Sequence, residues 1–406
     1  MTRAREATSA RAPGFLQGMM LLLPITLSVM GIVVLVPIVP QLMTQFSSVP
    51  GYPYLVLGGI LTMPALCVTL FSPLAGWLAD RFGRRPILIV SMIAYAVIGI
   101  APIFLDSLFA IIATRVGVGL CEAVIMTVTT TLIADYFESP ARERWLASQT
   151  ATASLSAIAL MVIGGQLGHA FGWRGPFGVY LFSLVLVAGV ILFTWEPAHV
   201  SAETANPATG PMAEFPWARM LGICAITLFA SVMFYTVQTQ VSLALKEFGI
   251  VDADRVGNLA ALASLGVPIG TIGFRGLVRI PVGVLFFVEF GIIGGSFIWM
   301  GHAGDFRTFL IATACNQIGC GMILPTLLTW AVRGLAFEVR GRGNGLWQGT
   351  FAVGQFLSGI VVTFLAARAG GLLAAFVALG ISNVAAAVLA FGAHLRYRAR
   401  CEFTTA

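Results

Sequence analysis

The sequence predicts an all-α polytopic membrane protein with twelve transmembrane helices in two pseudo-symmetric six-helix bundles. An apolar composition, apolar runs of membrane-crossing length and traces of an internal repeat support this prediction. Hydrophobic residues make up 58% of the 406-residue chain and charged residues only 10%. A soluble domain is about half apolar and a quarter charged. Much of the apolar surface must therefore face lipid rather than water.

Apolar runs of about 20 residues, the length that crosses a hydrocarbon layer of roughly 30 Å, recur along the chain. The first run is longer than the apolar part of a secretory signal peptide and lacks a small-residue cleavage site, so we expect it to remain as a span. Charges, glycines and prolines bound twelve predicted spans, at 15–39, 54–79, 86–105, 108–134, 146–170, 176–195, 219–243, 256–274, 281–301, 306–332, 343–367 and 371–394.

The distribution of basic residues predicts that both termini are cytoplasmic, because cytoplasmic loops carry an excess of Lys and Arg. Segments on the other side hold only Arg174, Lys246, Arg255, Arg307 and Arg368. Segments on the terminal side hold seventeen arginines, namely Arg3, Arg5, Arg11, Arg81, Arg84, Arg85, Arg142, Arg144, Arg219, Arg275, Arg279, Arg333, Arg340, Arg342, Arg396, Arg398 and Arg400. The net charge of +6 then reflects topology and attraction to anionic lipid headgroups, and it gives no reason to expect nucleic acid as a partner.

A polar stretch divides the chain into two halves. We predict a first six-helix bundle at 1–195, a cytoplasmic linker at 196–218 and a second bundle at 219–406. A shift of 202 residues aligns RVGVGL (115–120) with QIGCGM (317–322) and Trp145 with Trp347. A shift of 194 residues aligns Gly76, Arg81 and Arg85 with Gly270, Arg275 and Arg279. Internal duplication of this kind is typical of secondary transporters.

The loop between the second and third predicted spans reads GWLADRFGRRP, residues 76–86. It resembles the signature loop of the major facilitator superfamily in pattern, length and position. The matching residues include Gly76, Asp80, Arg81, Gly83, Arg84 and Arg85. The resemblance implies a gating latch at the cytoplasmic face. In that latch Asp80 would meet the N-terminal end of a facing helix, such as the eleventh span, and Arg84 would reach a carboxylate such as Asp135.

Two further segments resemble family patterns in part. IIATRVGVGLCEA in the fourth span has the arginine and glycine of one pattern, as Arg115 and Gly119, with Val118 where glutamine is usual. LMVIGG, residues 160–165, keeps the two glycines of the antiporter pattern and lacks its Gly-Pro pair. The resemblance therefore implies the fold of the whole chain more strongly than it implies export over import.

Arg115 and Glu122 are the candidate proton-coupling or substrate residues. They lie seven residues apart in the fourth span, which places them on about one helix face and roughly 10 Å apart along the axis. A charge at membrane depth costs at least about 2.5 kcal/mol on insertion scales and so indicates a partner, water or a function. We expect Glu122 to exchange protons or bind a cation and Arg115 to modulate it. A buried structural carboxyl is the alternative.

Polar side chains on other spans are candidates for lining the same cavity. They are Tyr235, Gln238, Gln240, Asn316, Gln317, Gln348 and Gln355. Such amides orient a large apolar substrate without fixed charge, or they hold helices together. Glu289 in the ninth span is a second intramembrane acid. The resemblance makes that span peripheral, so we expect Glu289 to extend toward the membrane interface or to pair with a neighbouring span.

The sequence predicts a transporter and no enzyme or cofactor, since phosphate-loop and metal-ligand patterns are absent. The resemblance implies proton-coupled efflux of small amphipathic or hydrophobic compounds. Uptake of a metabolite or organic anion through Arg115 is the alternative, and a non-transporting sensor is a third possibility. The expected partners are a small-molecule substrate, protons and the lipid bilayer. We expect a functional monomer in a bacterial inner membrane.

Overall fold

The structure is a computed structural model, which describes residues 13–138, 140–197, 215–274, 276–277, 280–332, 335 and 337–404. The regular secondary structure within these ranges is helical. Most of the predicted linker 196–218 lies outside the described residues, as do Arg275 and Arg279 of the second loop copy. The predicted bundle boundaries therefore stay predictions.

Eleven stretches of the described chain are long and apolar enough to cross a membrane. One of them, Ala141–Phe193, has 53 residues, which as a straight helix would be about 80 Å long. It consists of the helices Ala141–Phe171 and Phe182–Phe193, joined by a 3-10 segment at Gly172–Leu181. The 3-10 segment of 10 residues and the helix Phe182–Phe193 of 12 residues are together long enough for a crossing separate from Ala141–Phe171. The described helices are therefore consistent with the twelve spans that the sequence predicts.

The spans have the following bounds in chain order. The first comprises Phe15–Leu22, Ile25–Val33 and Val39–Gln45, and the second Tyr52–Tyr54, a π-helix at Leu55–Thr62 and Met63–Phe82. The third to seventh are Arg84–Ile100, Leu108–Tyr136, Ala141–Phe171, Phe182–Phe193 and Trp217–Glu247. The eighth comprises Ala253–Ser264 and Gly266–Phe274, and the last four are Val282–Gly301, Phe306–Val332, Phe337–Ala369 and Leu372–Thr404.

The second and third spans are joined by a single residue, Gly83, whose φ of +90° lies in the left-handed region. Only glycine adopts this conformation without steric cost, which explains why the tight turn needs it. We call the end of the molecule that carries residues 76–86 the motif end. The opposite end, which carries the turn at Gly249, is the far end.

The two ends differ in how closely the bundles approach each other. At the far end the fifth and eighth spans pack backbone to backbone, since a Cβ added to Gly165 would lie 2.6 Å from the carbonyl oxygen of Ala253. The same spans make few contacts nearer the motif end. The bundles are therefore closed against each other at the far end.

Candidate functional site

A cavity of about 640 Å³ lies between the two bundles. This volume falls within the usual range for small-molecule sites. Its described lining residues come from the first, second, fourth and fifth spans of one bundle and from the seventh, eighth, tenth and eleventh spans of the other. Toward the motif end it is lined by Thr150, Gly345 and Gln348, which are exposed. The cavity is thus open toward the motif end and closed at the far end.

The cavity wall is mostly apolar, with a few polar groups. Among the lining residues that the structure describes, Glu122 is the single charged side chain. The polar lining residues are Ser28, Thr69, Ser72, Thr150, Ser154, Tyr235, Gln238, Ser264, Trp347, Gln348 and Gln355. A ligand in this cavity would therefore meet one carboxyl group and many neutral surfaces.

Glu122 lies near the middle of the fourth span and is only 3% exposed. Its Oε1 atom is buried and has no hydrogen-bond partner. This oxygen lies against Gly31 of the first span, where any Cβ would collide with it. Gly31 therefore leaves room for the Glu122 carboxyl group, and one carboxyl oxygen of Glu122 is left without a hydrogen-bond partner.

Arg115 does not line the cavity, although the sequence places it on the same helix face as Glu122. Its side chain is fully buried and donates hydrogen bonds to the hydroxyl of Tyr180 at 2.7 Å and to the carbonyl of Gly99 at 3.3 Å. The guanidinium carbon lies 5.1 Å from the ring centre of Phe177 and 4.9 Å from that of Tyr180. The long side chain thus reaches the third span and the 3-10 segment before the sixth, where a carbonyl, a hydroxyl and aromatic ring faces stabilise its charge.

Tyr180 connects Arg115 to the cavity wall. Its hydroxyl accepts from Arg115 and lies 3.4 Å from the carbonyl oxygen of Gly31, to which it donates. Gly31 in turn lies against the carboxyl of Glu122. Arg115 is therefore placed to influence Glu122 through Tyr180 and the first span, without direct contact.

The predicted cavity-lining residues divide into two groups. Tyr235, Gln238, Gln348 and Gln355 line the cavity. Gln240, Asn316 and Gln317 are buried elsewhere in the second bundle, which corrects the expectation for these three. Asn316 donates to the carbonyl of Ile293 at 3.3 Å and holds the ninth span against the tenth.

Glu289 is fully buried and lies outside the cavity lining. Its Oε1 atom accepts a hydrogen bond of 2.5 Å from the hydroxyl of Thr326 in the tenth span, and its Oε2 atom has no partner. Of the two expectations for this residue, pairing with a neighbouring span describes what the structure shows. Extension to the membrane interface does not.

An aromatic wall in the second bundle is a main feature of the cavity, and of its four residues sequence analysis predicted only Tyr235. It consists of Phe234, Tyr235, Trp347 and Phe351, all of which line the cavity. The spacing of Trp347 and Phe351 could have predicted this wall, because the two residues are one helical turn apart in the eleventh span and share a face. Phenylalanine is so frequent in this apolar chain that aromatic residues at helical spacing did not single out the cavity wall.

The gating motif makes its contacts within the first bundle. Arg84 forms ion pairs with Asp135 and, at 3.1 Å, with Asp80. Asp80 keeps 69% of its side chain exposed, and among the described residues its ion pair is with Arg84 of the same bundle. The predicted Arg84 to Asp135 contact is thus formed. The contact predicted for Asp80 is with the start of the eleventh span, where several side chains lie outside the described residues, so it stays a prediction.

The remaining motif residues are held by the first bundle as well. Arg85 donates to the hydroxyl of Thr194 at 3.3 Å and to the carbonyl of Ile191 at 2.8 Å. The guanidinium of Arg81 lies 5.7 Å from the ring centre of Trp77. Gly76 lies within the second span, at a position where an added Cβ would meet only ordinary contacts.

Glu196 fastens the motif to the end of the sixth span, a role that sequence analysis missed by assigning it to the linker. Its two carboxylate oxygens accept from the backbone N–H groups of Arg84 at 2.7 Å and Arg85 at 2.8 Å. These are unpaired donors at the N-terminus of the third span, where negative charge is also favourable.

Replacing Glu196 by alanine is expected to lower the free energy of unfolding by about 0.5–2 kcal/mol, as for loss of other N-terminal helix caps. Denaturation of the purified protein in detergent measures the change. The control is Glu247→Ala, because Glu247 is an exposed acid at the C-terminal end of a helix and caps no helix N-terminus. Equal stability of the two variants would contradict the capping role.

In the part of the chain that the structure describes, membrane-crossing helices in two bundles surround a substrate-sized cavity, which defines a polytopic membrane protein with a central site. The chain belongs to the Major Facilitator Superfamily, whose sequence profile matches residues 21–335. The family and the solved structures that the chain resembles are transporters and not enzymes, which confirms the prediction that this chain is no enzyme.

Individual relatives agree with this assignment. The chain is 30% identical over 212 residues to the class C tetracycline resistance protein of Escherichia coli, which covers 50% of each chain. It is 27% identical over 187 residues to the class B protein of the same organism, covering 45% of each. The matches thus span about half the length of these curated relatives. A bacterial homologue of the human lysosomal transporter Spinster, in its inward-facing and occupied conformation, has a TM-score of 0.77 at 16% identity, over 93% of this chain and 96% of the other. This likeness shows the fold.

Proposed function

We propose that the chain is a secondary active transporter that exports small amphipathic or hydrophobic compounds in exchange for protons. The observation that carries the proposal is the carboxyl group of Glu122 in a mostly apolar cavity that is open at one end and closed at the other. Two of the relatives are tetracycline resistance proteins. Their names support a cargo of about the size of tetracycline.

Alternating access explains how such a cavity would move its cargo. In the state seen here, a compound enters from the motif end, which the basic residues predict to be cytoplasmic. The bundles then rock, so that the motif end closes and the fifth and eighth spans separate at the far end. We infer that the loop residues from Asp80 to Arg85 regulate this closure.

Glu122 is the proposed coupling group because no salt bridge to it is present among the described residues and its buried Oε1 atom has no hydrogen-bond partner. An unpaired carboxylate in an apolar wall is costly, and either a proton or a cationic substrate removes that cost. If the two compete for one carboxyl, proton entry from the far end drives substrate release there. This competition is what exchange requires.

Uptake of an organic anion by Arg115 is less well supported. Arg115 is fully buried among Tyr180, Phe177 and Gly99 and lies outside the cavity lining. An anion in the cavity would instead meet Glu122, which has the same sign of charge. We therefore expect neutral or cationic cargo.

The experiment is a proton-flux assay in proteoliposomes with an imposed pH gradient. Tetracycline, other amphipathic amines and neutral drugs form one panel, and small organic anions form the other. We expect compounds of the first panel to move protons only when protein is present. Proton movement with anions alone would favour uptake, and no proton movement with any compound would contradict the proposal.

A further inference from the structure

The aromatic wall of the second bundle forms one continuous surface of the cavity. The ring centres of Tyr235 and Phe351 are 5.5 Å apart, and those of Trp347 and Phe351 are 5.7 Å apart with an angle of 24° between their planes. Phe234 completes the surface at 4.9 Å from Tyr235. The wall thus joins the seventh span to the eleventh and presents ring faces and edges to a ligand.

Trp347 carries a hydrogen-bond donor that the protein does not use. The side chain is 7% exposed, and its Nε1–H group is buried and has no partner. Buried donors in folded proteins nearly always have an acceptor. Stacking on Phe351 does not account for the N–H group, since a phenylalanine would stack as well. An acceptor that reaches this donor from the cavity would explain it.

The opposite side of the cavity also has unpaired polar atoms. Glu122 Oε1 and Ser28 Oγ belong to lining residues of the first bundle, and both are buried without a hydrogen-bond partner. A carboxylate accepts and an indole N–H donates, so the two bundles offer opposite hydrogen-bonding characters. The matching ligand has a donor or cation at one end and an acceptor on its aromatic part.

We infer that Trp347 determines substrate specificity by binding a planar aromatic compound that bears a ring carbonyl or similar acceptor. The ring system packs against Phe351 and Tyr235 beside Trp347. Its acceptor lies in the plane of the indole, where the N–H group donates to it. The amino or hydroxyl end of the same compound faces Glu122. This inference deepens the proposed function and rests on it for the use of the cavity as a substrate site. Substrate recognition then belongs mainly to the second bundle, and proton coupling to the first.

The test compares two probes that differ only in the acceptor: an anthracene and an anthraquinone that carry the same methylaminomethyl group. Binding to the purified full-length protein is measured by fluorescence quenching or calorimetry. For Trp347→Phe, which keeps the ring face and removes the N–H group, we expect anthraquinone affinity to fall by about two- to tenfold. Anthracene affinity should stay within the error of the measurement. Replacement of Trp347 by benzothienylalanine removes only the N–H group and should give the same result if Trp347→Phe perturbs the fold.

The control variant Phe351→Leu removes a ring of the wall and keeps the indole donor, so both probes should bind more weakly. Equal losses for both probes in Trp347→Phe would assign Trp347 to packing and overturn the inference. Unchanged binding of both probes would overturn it too. Because binding is measured without a gradient, selective anthraquinone binding in a protein that moves no protons would contradict the proposed function and leave this inference standing.

Discussion

Replacing Glu122 by glutamine is expected to reduce pH-driven transport to the rate of liposomes without protein. Glutamine has nearly the volume of glutamate and fits beside Gly31, but it neither binds a proton nor carries a charge. The variant should therefore fold and keep its cavity while losing the exchangeable group. Downhill counterflow of substrate without a pH gradient should persist in part, because the aromatic wall is intact.

Two variants separate coupling from a structural role of Glu122. Glu122→Asp keeps a carboxyl group that is shorter by one methylene, and it should retain part of the pH-driven transport. Glu247→Gln removes an exposed acid at the far end of the seventh span and should behave like the unaltered protein. Thermal unfolding in detergent checks that the variants are folded. Full pH-driven transport by Glu122→Gln would exclude Glu122 as the coupling group.

The twelve spans were predictable because a helix that crosses lipid must be apolar over a fixed length. Glu122 was predictable for a related reason, since acids at membrane depth are rare and indicate function or a partner. The position of the Arg115 side chain was not predictable in the same way. Helical spacing fixes the direction in which its Cβ points, whereas its guanidinium is held by Tyr180, 65 residues further along the chain.

The amide side chains show where helix geometry could have sharpened the prediction. Asn316 and Gln317 are adjacent in a helix and point about 100° apart, so both could not face one cavity squarely. Gln238 and Gln240 differ by about 200°, and the structure places only Gln238 among the described lining residues. Which member of each pair faces inward depends on the rotation of the helix, which packing against neighbouring spans determines.

The structure explains why residues 164 and 165 of LMVIGG are glycines, which the composition of the chain does not predict. A Cβ on Gly164 would collide with the carbonyl oxygen of Val34 in the first span, and a Cβ on Gly165 would meet the backbone of Ala253 and Gly257 in the eighth. Small residues permit such close approach of membrane helices. Gly165 thus helps to close the far end in this state, and Gly164 packs the fifth span against the first within one bundle, although the preceding Gly-Pro pair is absent.

Replacing Gly165 by alanine is expected to favour the state open at the far end and to slow transport. The added Cβ would lie 2.6 Å from the Ala253 carbonyl oxygen and 3.1 Å from the Gly257 Cα, both of which are backbone atoms that cannot rotate away. Overpacking of this kind costs about 1–3 kcal/mol. If that cost falls only on the state closed at the far end, the equilibrium shifts by about 5- to 150-fold toward the other state. A protein biased toward one state completes the cycle more slowly.

Spin labels on Phe171→Cys and Val251→Cys, in a background without the native cysteines, report the distance across the far end. Both positions are exposed, at the ends of the fifth and eighth spans. Gly165→Ala should increase the population with the longer distance, whereas Gly222→Ala should not, because a Cβ on Gly222 meets nothing within 4 Å. Glycine-to-alanine changes at both sites alter helix propensity alike, so the comparison isolates the steric effect. If the two variants give the same distances and transport rates, the far-end contact does not control the cycle.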